Sequence, residues 1–130
     1  MGEIVNGPGY AVGDLELLGE GYGFRKIRKG LDVKELGINA IVMPPGYETA
    51  GHYHDEQEEL YFLHSGQIVM TFGDGSSQTL DPGGLAWVDA STVRKVANPS
   101  DSEEAVYVVV GGKDGYVGRD GKLPEGEAHR

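Results

Sequence analysis

With 130 residues, 22 glycines, 6 prolines and no cysteine, the chain has the length of one domain and can form neither a disulfide nor a thiolate metal site. Eleven Lys and Arg against 21 Asp and Glu give a formal charge of -10, a field that repels nucleic acid and anionic membranes and favours cations. No apolar run approaches the ~18 residues of a membrane span, and MGEIVNGPGY lacks the basic start and apolar core of a secretory leader, so a soluble, cytoplasmic protein is expected.

Glycine and proline are scattered between short β-rich runs, which predicts an all-β barrel or sandwich. Residues 1–13 read as an arm, loose or paired as a strand with a partner chain. Short strands are expected over 14–18 and 22–28. The second brings Arg25, Lys26, Arg28 and Lys29 together. That knot of charge reads as a solvated, charge-guarded edge strand, with an anion-facing patch as the alternative. One helical turn is placed at 31–36. INAIVM, 38–43, is an apolar strand closed by Pro44-Pro45-Gly46.

Residues 49–53 and 59–64 flank an acidic loop, and 67–72 follows the turn HSGQ. Asp74-Gly75 predicts a two-residue hairpin into 77–80. Strands at 85–88 and 93–97 come next, and AVYVVV, 105–110, reads as a central buried strand. The polar tail, 113–130, lies between an ordered flap and a disordered end, with His129 solvated. One domain is expected, with its core over 36–112 and an N-terminal arm with strands over 1–35.

Chemistry concentrates in residues 46–66, GYETAGHYHDEQEELYFLHSG, which hold three of the four histidines. His52 and His54 are two apart, so on an extended strand both imidazoles share one face. A carboxylate on the returning strand would complete a three-ligand metal site with open positions. For an isolated HxH, a solvated polar turn is the simpler reading. Here Gly46, His52, His54, Glu59 and Gly66 are separated by five, one, four and six residues. That spacing resembles the first motif of the cupin family and selects Glu59 over Glu58.

The resemblance implies a cupin-type β-barrel, a double-stranded β-helix or jelly roll, with His52, His54 and Glu59 directed into its cavity. The metal they imply is a divalent transition ion: Fe, Mn, Ni, Cu or Zn. Fe(II) suits an open facial triad, and Zn(II) needs one water to complete a tetrahedron. The second cupin motif is partial. Gly83 and Asn98 stand fifteen apart as it requires, but Asp89 and Ser91 replace its Pro and Gly, and Arg94 replaces its metal-binding His.

Arginine stays protonated and offers no lone pair to a cation. Two outcomes are open. Arg94 stands beside a three-ligand metal and grips an anionic substrate group, or it pairs with Glu59 and takes the metal's place. Tyr61 shares the face of Glu59 and is read either as a hydroxyl donor to substrate or as a core aromatic. His64, on the opposite face with Leu60 and Phe62, is assigned to the surface or a subunit contact. Met43 and Trp87 are assigned to the core, with cavity walls as the alternative.

The expected function is a metal-dependent oxygenase, isomerase or lyase acting on a small, anionic organic molecule. Dioxygen activation is the first guess if the metal is Fe(II). The rival is a non-catalytic binding module with Arg94 paired to Glu59. A homodimer is expected, as in similar cupins, through the N-terminal strands and an outer face carrying Leu60, Phe62 and Val106 or its neighbours.

Overall fold

A computed structural model describes residues 1–124. Its organising strand is β11 (Ala105–Gly112), whose AVYVVV run, β-branched but for Ala105 and Tyr107, is buried or half-buried throughout. It lies between β4 (Gly37–Met43) and β6 (Glu58–Ser65), antiparallel to both. β3 (Gly23–Arg25) and β9 (Leu85–Val88) complete a five-stranded sheet ordered β3-β4-β11-β6-β9. A second sheet is ordered β10-β7-β8, from β7 (Ile68–Phe72), β8 (Ser77–Leu80) and β10 (Arg94–Ala97).

Strict alternation along β6 sends Glu59, Tyr61 and Leu63 inward and Leu60, Phe62 and His64 outward, the period-two pattern of a sheet wet on one side. Met43, Leu63, Ala105 and Tyr107 from the larger sheet meet Ile68, Met70, Leu80 and Val96 from the smaller one. The architecture is all-β, the jelly roll expected, although neither sheet closes into a continuous barrel. No helix among the described residues is long and apolar enough to cross a membrane.

Two residues of the sequence spacing have structural work. Gly66 has φ +77°, and a Cβ there would overlap the Glu104 carbonyl oxygen and lie 2.8 Å from Ala105 Cα. The turn from β6 to β7 therefore presses on the start of β11 at a point only glycine tolerates. Asn98, buried behind β10, donates its side-chain amide to the carbonyls of Met43, Pro44 and Glu103 at 3.3, 3.2 and 2.8 Å. It ties β10 to the end of β4 and the approach to β11.

Several local expectations are corrected. Residues 14–18 form a 3-10 turn, Leu15–Leu18, because Asp14 accepts from the Leu17 amide and caps it. The strand expected over 22–28 stops at Arg25, and a short helix α1 (Ile27–Leu31) takes over, ending at Asp32 in the left-handed region. The helical turn is thus earlier than 31–36. The arm pairs with itself, as a hairpin of β1 (Val5–Gly7) and β2 (Tyr10–Val12).

Around Asp74 the loop has three residues between Phe72 and Ser76, a tight turn closed by the Gly75 amide on the Phe72 carbonyl with Gly75 at φ +88°. Trp87, assigned to the core, is 64% exposed on the outer face, where its indole N–H donates to Glu58. Arg25, one of the residues read as solvated, is buried and donates to the Gly21 carbonyl. The tail forms β12 (Gly121–Lys122), paired with β5 (Tyr53–His54). His129 lies outside the described residues.

Candidate metal centre

The histidine-bearing segment runs antiparallel beside β10. Thr49 N–H donates to the Val96 carbonyl at 2.8 Å, and His52 and Arg94 exchange both backbone bonds at 2.9 Å. His54 N–H donates to the Ala90 carbonyl at 2.8 Å, and His54 pairs with Gly121 on its other side. These bonds hold the segment extended, so His52 and His54 fall on one face with their rings edge to face, centroids 5.3 Å apart. β6 brings Glu59 up from the larger sheet. One ligand atom from each of His52, His54 and Glu59 lies within 4.8 Å of the other two, so these three residues can hold a metal ion.

Four groups converge on the single oxygen Glu59 Oε1. His54 Nε2 is 3.1 Å away, His52 Nε2 3.7 Å, the Tyr61 hydroxyl 2.9 Å and Arg94 Nε 3.9 Å. Burial pushes the Glu59 carboxyl upward. The contacts from His52, His54 and Tyr61 outweigh it, and the group is held well below the ordinary carboxylate range. Burial and the adjacent Glu59 charge push the Tyr61 hydroxyl well above its usual value, so it remains a proton donor.

The donor set fits a metal. His54 Nε2 is buried, yet it has no hydrogen-bond partner among the described residues, being out of line with the carboxylate it faces. Around an ion with bonds near 2.1 Å, neighbouring ligand atoms stand about 3.0–3.4 Å apart. The 3.1 Å separation of His54 Nε2 from Glu59 Oε1 falls in that range, and the 3.7 Å separation of His52 Nε2 lies above it. Imidazole and carboxylate suit Fe, Mn, Ni, Cu or Zn.

Arg94 stands at the edge of this group with its side chain 0% exposed. Nη2 donates to the Asp89 carbonyl at 2.8 Å and Nη1 to the Ala90 carbonyl at 3.4 Å. Nε is buried and unpartnered, turned toward Glu59. Two of the three departures from the second cupin motif thus meet here: the chain at Asp89, braced by the carboxylate bonds to Thr92, offers the carbonyl that receives the arginine. Arg94 is not among the residues lining the adjacent cavity, whereas Tyr61 is.

Three further participants carry no local signature. Asp120, from the tail, is 6% exposed and accepts from the Glu56 and Gln57 amides at 2.9 and 2.8 Å. Its Oδ2 lies 3.8 Å from His54 Nδ1. Burial raises the Asp120 carboxyl, but the two amides and His54 prevail and lower it. Gln57 places its side-chain amide 2.9 Å from the same Nδ1. Space for Gln57 comes from Gly111, where a Cβ would lie 2.7 Å from Gln57 Oε1. One nitrogen of His54 is therefore oriented from behind while the other faces Glu59, an arrangement typical of ligating histidines.

A cavity of about 400 Å³ opens beside His52, Glu59 and Tyr61. Its walls are mostly apolar, with Phe24, Ile41, Tyr107 and Val109 prominent. Arg28 and Tyr116 complete its rim, the guanidinium carbon 3.9 Å above the ring centre.

A profile of the cupin domain matches residues 40–111, more than half of the chain. The chain belongs to the cupin family. No curated protein matches the chain. Solved structures similar to this cupin include an uncharacterized double-stranded β-helix protein from Klebsiella pneumoniae. It is 22% identical, with TM-score 0.61 over 70% of this chain and 76% of that one. A cupin-superfamily sugar phosphate isomerase from Silicibacter pomeroyi is 25% identical, with TM-score 0.63 over 69% of this chain and 58% of its own. A DMSP lyase from Ruegeria pomeroyi is 22% identical, with TM-score 0.60 over 72% of this chain and 46% of its own. The match thus spans about half of each of these two enzymes' chains.

Proposed function

We propose that this cupin binds a small organic molecule in the cavity beside a divalent transition metal held by His52, His54 and Glu59, and acts on it there. The observation that carries the reading is the buried, unpartnered Nε2 of His54, facing Glu59 Oε1 with His52 alongside. A bound divalent ion supplies Lewis acidity toward an oxygen donor of the ligand. Tyr61 donates a hydrogen bond to Glu59 and fixes the carboxylate's rotation, Arg94 offsets its charge, and Asp120 faces His54 Nδ1. Arg94 and Asp120 lie outside the cavity lining, whose charged side chains among the described residues are Arg28 and Glu59. That an isomerase stands among the structural neighbours agrees with action on a small molecule.

Elemental analysis of protein purified without chelator or affinity tag should show about one transition metal per chain, and His52→Ala should remove it. Equal metal in both proteins would sink the reading. A second reading has its own observation, Arg94 Nε 3.9 Å from Glu59 Oε1: a metal-free ligand-binding module in which the guanidinium compensates the carboxylate. Metal-free parent protein that gains no thermal stability from added Zn, Mn or Fe favours that module.

A homodimer belongs to the same proposal. In the register of β6 and β9, Leu60 faces Trp87 and Phe62 faces Leu85, and all four are exposed on the outer side of the larger sheet. Contiguous apolar side chains on a sheet whose edge strand is β9 suit a second copy. Light scattering at micromolar concentration should give twice the chain mass, and Trp87→Glu should shift it toward the monomer. A monomeric parent refutes the expectation.

A further inference from the structure

The four-charge knot near residue 25 does not behave as one surface patch. Arg25 turns inward to a backbone carbonyl, while Lys26 and Lys29 are exposed. Arg28 is different: it is half-buried, lines the cavity that reaches His52 and Glu59, and lies flat on Tyr116. None of the described ion pairs gives it a carboxylate. It is the only Lys or Arg among the described residues lining that cavity. Arg94, the other arginine near the site, has its terminal nitrogens occupied by the Asp89 and Ala90 carbonyls.

We infer that Arg28, braced by Tyr116, is the anion-recognition residue of the cavity, and that the ligand is a small monocarboxylate with an apolar body. The inference rests on the reading of this cavity as the ligand site and extends it to a ligand class. A guanidinium presents a planar fork matched to a carboxylate. Stacking on Tyr116 holds the fork in one orientation before the ligand arrives, which reduces the ordering cost of binding. In the chelator-treated protein a phosphate dianion would meet one guanidinium and the Glu59 carboxylate, with no second Lys or Arg among the described lining residues. Phe24, Ile38, Ile41 and Val109 offer the body of the ligand an apolar wall between the carboxylate end and the metal end.

Arg28 precedes the matched region 40–111 and Tyr116 follows it, so the contact to the anionic head lies in segments outside the shared domain.

Benzoate, benzamide and phenyl phosphate carry one body with three different heads, and calorimetric titration of each into chelator-treated and zinc-loaded protein tests the inference. Benzoate should bind both forms, about tenfold or more tighter than benzamide, and Arg28→Gln should remove most of that preference. Arg28→Lys should restore it only in part, since the charge returns without the fork. Tyr116→Leu should weaken benzoate with the arginine still present.

Arg28→Gln should keep the parent's metal content, so failure of the metal reading and failure of this inference separate. If zinc does not bind at all, the chelator-treated arm still reports on Arg28. Benzoate affinities within twofold in parent and Arg28→Gln, no benzoate binding to the parent, or an Arg28-dependent preference for phenyl phosphate would each overturn the inference.

Discussion

Alanine at Arg94 is expected to cost the metal-free protein about 3–5 kcal/mol of stability, the penalty for breaking a buried pair from one side. The side chain is wholly buried, and its loss would strand the Asp89 carbonyl and leave Glu59 without its nearest cation. Urea unfolding of both proteins with chelator present measures the difference. Zinc should then return more stability to Arg94→Ala than to the parent. A unit charge ~5 Å from a divalent ion opposes it by roughly 6–7 kcal/mol before screening at an effective dielectric of about 20, and the variant lacks that opposition.

Arg94→His goes further, because an imidazole at this position could supply a fourth ligand without charge. It should hold zinc against a chelator more tightly than the parent. A loss under about 1 kcal/mol in Arg94→Ala would show that Arg94 does not compensate Glu59, and unchanged zinc affinity in Arg94→His that it does not oppose a metal.

The parts of the fold legible in the sequence are those whose cause is local. Alternation along residues 58–65 and the unbroken run at 105–110 specify one-sided and central strands directly, and both lie where the pattern puts them. Gly66 is required by a contact only a few atoms deep, so it keeps its place in the spacing. The 3-10 turn at 15–18 was hidden because LELL alternates as a strand does, and only the Asp14 bond to Leu17 turns the chain. Trp87 was misplaced because hydrophobicity alone does not say which face of β9 the core occupies.

The candidate centre divides along the same line. His52, His54 and Glu59 are recognisable from spacing within one short stretch, whereas the bond from Gln57 to Asp120 spans 63 residues. Nothing in KDGYVGRDGK marks its aspartate as buried, since Asp-Gly ordinarily signals an exposed turn. Arg28 was obscured by its neighbours: four basic residues together suggest solvation, and only the packing of α1 near Tyr116 separates one from the rest.

Asp120→Ala is expected to weaken metal binding by about 10–100-fold, the usual effect of removing a carboxylate that supports a ligating histidine. Two effects combine in that number. Asp120 closes the loop before β6 by accepting the Glu56 and Gln57 amides, and its charge lies 3.8 Å from His54 Nδ1. Asp120→Asn distinguishes them, because an amide oxygen can still accept from both backbone donors but brings no negative charge. If charge dominates, Asp120→Asn should melt near the parent yet hold zinc about as poorly as Asp120→Ala in chelator competition. If the closed loop dominates, Asp120→Asn should retain most of the affinity, and Asp120→Ala should lose stability together with zinc, each charge-assisted bond being worth about 1.5–3 kcal/mol. Zinc affinity in Asp120→Ala equal to that of the parent would mean that the tail merely covers the centre. His54 would then be oriented by Gln57 alone, through the 2.9 Å contact at the same nitrogen.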